Sequence, residues 1–395
     1  MNPLFWIAAL GLYGGLHFYI IRKGWKVLKG TGGWRILALV VSLFLSVSFI
    51  AGRVLLARLP GAPTGGLIVV GNVWLAAWVY LVLFTFLIDI FRGANALVRF
   101  FPGAVRENPA RAARVAFFGV LAATALVLAY WAVHAGRVQV RDLDIRIPKA
   151  AGSVRDLTLV LASDIHVKPI MRMSHLEEIV AAINGLQPDL IILAGDVLND
   201  DIRGPELETM SAVLRKLKAP YGVLGVLGNH EIYAGVERSL AWLAKSGIDV
   251  LVDRTVLIAD AFYVAGRMDA SHGFRPGVRP RKPLAEVLAG IDRSRPLILV
   301  DHQPRNLKDA EENGVDLQLS GHTHGGQIFP ITFINSLIYE VPQGYARKGA
   351  TQYYVSSGVG NWGPPMRIGS TPEIVRLKVS FRPAGRPASF PISGR

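Results

Sequence analysis

Four long apolar runs open the chain, and none of them carries a polar stripe at helical spacing. They cover about 3–21, 36–57, 67–91 and 113–134. Each has about the 20 residues that a helix needs to cross roughly 30 Å of hydrocarbon. A helix of a soluble core would instead show polar residues at regular three- and four-residue intervals. The pattern therefore predicts an all-α membrane domain of four transmembrane helices.

The hydrophobic pattern changes after about residue 155. Short β-rich apolar runs, such as 157–163 and 189–194, alternate with amphipathic stretches such as 174–185. This alternation predicts an α/β domain with functional groups at the carboxyl ends of its strands. Two later strand candidates, 351–356 and 373–379, have fewer helices around them and suggest a second sheet. We predict four regions: a membrane domain (1–137), a linker (138–154), an α/β domain (155–381) and a flexible tail (382–395).

The positive charge of the chain is concentrated in the membrane part. The chain has 395 residues and a formal net charge of +14. Residues 1–137 contain 13 Lys and Arg against two acidic residues, so most of the excess lies there. We therefore predict the lipid bilayer as a partner and no nucleic acid. The absence of cysteine excludes a disulfide framework, a thiolate metal site and a cysteine nucleophile.

Basic residues in the short loops predict an orientation. Five Lys or Arg lie at 22–35 and four at 92–111, between the first and second and the third and fourth runs. The positive-inside rule places both loops in the cytoplasm, so the region after 134 would face outside. Further basic residues at 137–155 favour the opposite orientation. Long exported domains tolerate such charges, and we keep the outside orientation.

Five short motifs each follow a strand candidate. They are SDIH (Asp164, His166), AGDVLND (Asp196), GNHE (Asn229, His230), VDHQP (His302) and GHTHGG (His322, His324). Carboxylate, imidazole and amide ligands without thiolate suit Mn, Fe, Zn or Mg. A carboxylate can also bridge two metals about 3.5–4 Å apart. Strand-end capping would explain any one of these residues, but the full set in this order favours a metal centre.

This set of motifs resembles the calcineurin-like metallophosphoesterase superfamily. The stretches GHTHGGQ and GVGNWGPPMRIGSTPEIVRL resemble its membrane-attached bacterial branch. The resemblance covers about 155–380 and leaves the four apolar runs outside. It implies a four-layer α/β/β/α metallophosphoesterase sandwich as the catalytic domain, with two divalent metal ions (Mn, Fe, Zn or Mg) as cofactors. It also implies a bacterial cytoplasmic membrane, and the loop charges place the catalytic domain on its extracytoplasmic side.

The resemblance further implies a role for each motif residue. The first metal would be held by Asp164, His166 and His324, the second by Asn229, His302 and His322, and Asp196 would bridge them. His230 would stand near the leaving-group oxygen as a general acid or charge stabiliser. Glu231 would support His230 or a helix start. Apart from the resemblance, Arg367, in the PPMRIG loop, is a candidate either to bind a substrate phosphate oxygen or to form a structural ion pair.

Together these inferences predict a membrane-bound phosphoesterase acting through a metal-bridging hydroxide. Its substrate would be a phosphodiester, pyrophosphate or phosphomonoester of a lipid or envelope molecule. One alternative is a UDP-2,3-diacylglucosamine pyrophosphatase of lipid A synthesis, whose cytoplasmic substrate conflicts with the predicted orientation. Another is a non-catalytic membrane sensor or scaffold, which the complete motif set disfavours.

A further apolar segment, 328–339 (IFPITFINSLIY), directly follows the last motif. Such a run is by default a core helix. Beside a membrane domain it could instead contact the bilayer or accept an acyl chain.

Overall fold

The computed structural model describes residues 3–58, 65–134, 138–168, 171–199, 206–274, 277–364 and 366–382. The chain forms two compact units. One comprises residues up to Gly136 together with Gly363–Met366, and the other comprises the rest. Apart from Arg382, the predicted flexible tail lies outside the described residues.

The regular secondary structure described for the first unit is helical. Its helices are α1 (Pro3–Val27), α2 (Gly33–Arg58), α3 (Gly65–Val98), α4 (Gly103–Glu107) and α5 (Pro109–His134). Among the described residues, three segments are long and apolar enough to cross a membrane: Gly33–Gly52, Gly65–Val98 and Pro109–Trp131. Helix α1 forms at the first apolar run but is not among these three. A fourth span therefore stays a prediction.

Close backbone approach and a few polar contacts join the helices of this unit. A Cβ on Gly71 of α3 would lie 2.5 Å from the Phe49 Cα of α2, so only glycine permits this crossing. Lys23 of α1 donates to both carboxylate oxygens of Asp89 of α3, at 2.5 and 2.6 Å. Interhelical ion pairs of this kind satisfy charge that hydrocarbon cannot solvate.

The second unit contains twelve strands in two six-stranded sheets. The strands are β1 (Gln139–Ile147), β2 (Asp156–Ala162), β3 (Leu190–Leu193), β4 (Val223–Gly225), β5 (Asp249–Val250), β6 (Arg254–Ile258), β7 (Phe262–Gly266), β8 (Leu297–Val300), β9 (Leu317–Ser320), β10 (Gly344–Lys348), β11 (Thr351–Val355) and β12 (Glu373–Phe381). The orders are β1-β12-β2-β3-β4-β5 and β10-β11-β9-β8-β7-β6. Strands β2 to β5 run parallel in the first sheet, and β7, β8, β9 and β11 run parallel in the second.

Helices cover the outer faces of the two sheets. Those that pack on the sheets are α6 (Met173–Gly185), α7 (Glu206–Leu214), α8 (Asn229–Ala234), α9 (Val236–Lys245), α10 (Leu284–Val287) and α11 (Leu307–Glu312). The last helix of the unit is α12 (Ile331–Ile338), and none of its residues belongs to the hydrophobic cores. Strand β2 shows how the layers form, because its side chains alternate between faces. Leu159 and Leu161 pack between the sheets, whereas Val160 packs under α6 and α7. Helices α10 and α11 cover the second sheet. The predicted four-layer α/β/β/α sandwich is confirmed.

Strand membership differs from the expectation in two places. Of the two late strands, only β11 belongs to the second sheet, while β12 inserts between β1 and β2 of the first. The stretch that we predict as a linker contains β1, which pairs with β12 over its whole length. Charged residues at alternate positions (Asp142, Asp144, Arg146) hide this edge strand, since only Ile145 and Ile147 are buried.

Candidate metal centre

The motif residues meet where the two sheets present the carboxyl ends of their parallel strands. Asp164 and His166 follow β2, Asp196 follows β3, and Asn229 and His230 open α8 just after β4. From the second sheet, His302 follows β8, and His322 and His324 follow β9. Parallel strands place their carboxyl ends at one edge, which is why residues far apart in sequence converge here.

The backbone at the site adopts an uncommon conformation. Five motif residues have φ between 50° and 72°, in the left-handed region: Asp164, His166, Asp196, His322 and His324. Each such residue costs on the order of 1–3 kcal/mol and persists only when its surroundings enforce it. Two glycines let the loops touch. A Cβ on Gly228 would lie 2.1 Å from Asp196 Oδ1, and one on Gly321 would lie 2.4 Å from Asp164 Oδ2.

Asp196 lies at the middle of the cluster. Its Oδ2 is 3.3 Å from His302 Nε2 and 4.0 Å from the Nε2 atoms of both His166 and His230. Its Oδ1 accepts a hydrogen bond from the His230 backbone N–H at 2.9 Å. The carboxylate is therefore fixed through one oxygen and faces the imidazoles with the other.

A second carboxylate lies on one side of this centre. Asp164 Oδ1 is 3.4 Å from His324 Nε2. The Asp164 oxygens also accept the His322 backbone N–H at 3.0 and 3.2 Å. The Nε2 atoms of His166 and His324 are 3.1 Å apart. These three side chains point their ligating atoms into one small volume.

On the other side, an amide oxygen joins two imidazoles. Asn229 Oδ1 is 2.8 Å from His322 Nδ1 and 3.2 Å from His302 Nε2. His302 Nδ1 donates to the backbone carbonyl of Ala194 at 2.7 Å. This second bond fixes the ring orientation and leaves Nε2 directed at Asp196, an arrangement typical of histidines that bind metals.

Burial controls the charge of the outer groups. It raises the pKa of Asp164 to about 6 and lowers the pKa of His322 to about 3. Burial also lowers the pKa of His324 well below its ordinary value. Asp196 behaves differently: burial opposes its ionisation, but His302 and His230 hold the pKa of this carboxyl well below its usual range. A persistent negative charge therefore lies at the middle. Burial opposes the protonation of His302, but the charge of Asp196 raises the pKa of this ring well above its ordinary value, whereas the His322 and His324 rings stay neutral.

Glu231 organises the loops around the centre. It is fully buried, and its carboxylate accepts the backbone N–H groups of Asp196, Leu198 and Gly228 at 2.7–3.0 Å. Burial, followed by the charge of Asp196, raises its pKa to about 7. Its position in GNHE indicates the helix start but not the bonds to the β3 loop, because these join residues far apart in the sequence.

Arg367 is buried, and its guanidinium group forms hydrogen bonds with protein atoms. It donates to the carbonyls of Ser357 (2.6 Å), Gly358 (3.1 Å) and Gly360 and, through Nε, to Asn361 Oδ1 (3.0 Å). Its Nη2 is also 3.3 Å from His324 Nδ1. These contacts tie the 357–361 loop to a motif histidine, and a contact of Arg367 with substrate stays a prediction.

Three overlapping groups of side chains have ligating atoms close enough to hold a cation. They are Asp164, His166 and His324; His166, Asp196 and His230; and Asp196, His302 and His322. His166 and His230 are equally distant from Asp196, so distance alone does not separate a ligand from an acid. The donor set of oxygens and imidazole nitrogens suits hard or borderline divalent cations.

The catalytic half of the chain is similar to known phosphoesterases. A sequence model of the calcineurin-like phosphoesterase family matches residues 157–326, which include all eight motif residues. An uncharacterized metallophosphoesterase of Aquifex aeolicus is 37% identical over 236 residues, 59% of this chain and 87% of that protein. A transmembrane protein with metallophosphoesterase domain from Danio rerio is 33% identical over 64% of this chain and 60% of its own length. A solved 5′-nucleotidase precursor from Thermus thermophilus aligns at 16% identity and a TM-score of 0.37, over 56% of this chain and 55% of that one.

Proposed function

The chain belongs to the calcineurin-like metallophosphoesterase family and is a metal-dependent phosphoesterase, and from this premise we propose its action. We propose that it is a membrane-bound enzyme with a dinuclear metal centre. It hydrolyses a phosphodiester, pyrophosphate or phosphomonoester bond of a lipid or envelope molecule. The observation that carries the proposal is the position of Asp196, whose Oδ2 lies 3.3–4.0 Å from three imidazoles belonging to three different loops.

The residues present fit two divalent cations. The first would be held by Asp164, His166 and His324, the second by Asn229, His302 and His322, with Asp196 shared. The bond from His302 Nδ1 to Ala194 and the low pKa of the His322 and His324 rings support this assignment, since a metal ligand must offer a lone pair. When bound, two such cations neutralise phosphoryl oxygens and make a water molecule more acidic.

The remaining residues position groups and move a proton. His230 is nearly buried, and its ring lies with its centroid 4.7 Å from that of His166. From this position it gives a proton to the leaving oxygen of the phosphoester, so that the group departs as an alcohol and not as an alkoxide. Glu231 holds three backbone N–H groups of the β3 and β4 loops in place. Arg367 holds the 357–361 loop against His324.

The membrane association supports a lipid-linked substrate. Three segments of the same chain are able to span a bilayer, so the enzyme and lipid phosphoesters share one surface. A soluble phosphate ester would not need such an arrangement. Membrane-embedded phosphoesters of the envelope are accordingly the substrates to assay first.

The test uses the full chain purified in detergent and returned to liposomes. We would strip metal with a chelator, restore Mn²⁺, Zn²⁺, Fe²⁺ or Mg²⁺ one at a time, and follow phosphate release from lipid phosphomonoesters, phosphodiesters and nucleotide-linked lipid pyrophosphates. His230→Ala should lose turnover by about 10²–10⁴-fold while keeping its metal content. His175→Ala, on α6 beside Glu178, is the matched control and should match the wild type. Turnover that survives in His230→Ala would remove the proposed acid, and no turnover with any metal would favour the sensor or scaffold alternative.

A further inference from the structure

Helix α12 exposes an apolar surface immediately after the last metal motif. The core helix expected by default at 328–339 is not what forms. The exposed side chains of this surface are Phe329, Ile331, Phe333, Ile334, Leu337 and Ile338, each between 44% and 71% exposed. They are six of the eleven large apolar side chains that the described residues of the second unit expose. All eight residues of α12 are described, and only Asn335 among them is buried.

The same segment carries the exposed surface and two motif histidines. The turn His324–Gly326 leads directly into α12, and a Cβ on Gly326 would lie 2.4 Å from Thr332 Cα. The ring of Tyr339, just past α12, lies with its centroid 6.1 Å from that of His322. Anything that binds the exposed side of α12 is therefore held close to the motif histidines His322 and His324.

The chemistry of the surface matches a lipid bilayer. Helix α12 has no charged residue, and at eight residues it is too short to span hydrocarbon but long enough to lie in its surface. Trp362, also exposed, is held beside the segment by two hydrogen bonds with Gln327, and tryptophan favours the level of lipid headgroups. Because the chain carries its own membrane-spanning segments, a bilayer is the apolar phase always available to it.

We propose that α12, together with Phe329, inserts into the surface of the bilayer and holds the metal centre at the level of lipid phosphates. The inference rests on the proposed function. It explains how a phosphate group attached to a membrane lipid comes close to His322 and His324. The side chains enter the hydrocarbon as an amphipathic anchor, with the buried Asn335 side facing the metal-binding turn.

The absence of cysteine makes a direct test possible. In the full chain, Leu337→Cys creates a single labelling position on α12 for an environment-sensitive fluorophore. Leu257→Cys, an exposed leucine of β6 at the far edge of the second sheet, is the matched control. Both proteins are placed in phosphatidylcholine–phosphatidylglycerol liposomes with or without lipids carrying a quencher on the acyl chain. The probe at 337 should shift to the blue and be quenched at least twofold more than the probe at 257. Equal spectra and equal quenching at the two positions would overturn the proposal.

A second variant links the insertion to catalysis. Phe333→Ser combined with Leu337→Ser should lower kcat/KM on a liposomal phosphoester about tenfold, because each lost apolar side chain weakens membrane burial. Hydrolysis of soluble bis(p-nitrophenyl) phosphate should stay unchanged. Equal activity of variant and wild type on both substrates would overturn a role for α12 in substrate access. Quenching at 337 in a protein without phosphoesterase activity would support the insertion and contradict only the proposed function.

Discussion

A single methyl group added at Gly228 should disable the proposed metal centre although no proposed ligand is replaced. Gly228 has φ −97° and ψ −175°, a conformation open to any residue, so the substitution Gly228→Ala carries no backbone penalty. The obstacle is steric: the new Cβ would lie 2.1 Å from Asp196 Oδ1 and 2.5 Å from Asp196 N. Contacts of Cβ below 3.0 Å are essentially never observed, so Asp196 or the Gly228 loop must move.

The size of the effect follows from the required shift. Moving a Cβ contact from 2.1 Å to at least 3.0 Å displaces the shared carboxylate by about 1 Å. A misplacement of about 1 Å in a catalytic site costs on the order of 10²-fold in rate. Overpacking of this kind also lowers the free energy of unfolding by about 1–3 kcal/mol. The bond from His230 N to Asp196 Oδ1 lies in the same space and should be lost.

Three quantities are measured on the full chain. They are the metal content by inductively coupled plasma mass spectrometry, kcat/KM on bis(p-nitrophenyl) phosphate, and Tm. The control is Gly185→Ala at the end of α6, where an added Cβ meets no atom within 4 Å. We expect the control to match the wild type in all three measurements, and Gly228→Ala to lose metal and activity together. A Gly228→Ala protein with wild-type metal content and kcat/KM would refute the steric reasoning.

Four other outcomes can be measured. Glu231→Gln removes a charged acceptor from three buried N–H groups and should cost about 2–4 kcal/mol of unfolding free energy, measured by denaturant titration; an unchanged midpoint would contradict the role of Glu231. Arg367→Lys cannot reproduce the guanidinium contacts and should reduce metal content as Arg367→Ala does, so full metal binding in the lysine variant would exclude a positioning role. Removal of metal with a chelator should lower Tm, and a divalent cation added back at a thousand times its Kd should restore about 4 kcal/mol of unfolding free energy. A Tm that does not change with metal would argue against the metal centre. Alkaline phosphatase fused to the C-terminus should be active and green fluorescent protein fused there dark; the reverse pair would place the catalytic unit in the cytoplasm and favour the nucleotide-linked lipid pyrophosphate.

The α/β architecture could be predicted because strong local patterns determine it. The structure contains the predicted alternation of apolar strands, such as 157–163, with amphipathic helices, such as 174–185. Each of the five motifs follows a strand, as expected. The motif residues converge because parallel strands end at one edge, a rule that needs no knowledge of side-chain contacts.

The remaining features depend on pairings that are not local. The charged residues of β1 hide it in the sequence, and β12 joins the first sheet by pairing along one edge with β1 and along the other with β2. The contacts of Arg367 arise only when the 357–361 loop folds back onto the turn at His324. For α12, hydrophobicity alone suggests a core position, and only the fold shows that its apolar side chains are exposed among the residues that the structure describes.

The position of β12 also bears on how the protein is made. Among the described strands this one is synthesised last, yet it lies between β1 and β2, which are synthesised first. Until Phe381 is released, both early strands keep an unpaired edge of the kind that joins other chains and aggregates. The loop after β2, with Asp164 and His166, rests on that unfinished sheet. The first sheet is thus completed only after all five motifs have been synthesised, and the loop with Asp164 and His166 gains its final support only when β12 pairs.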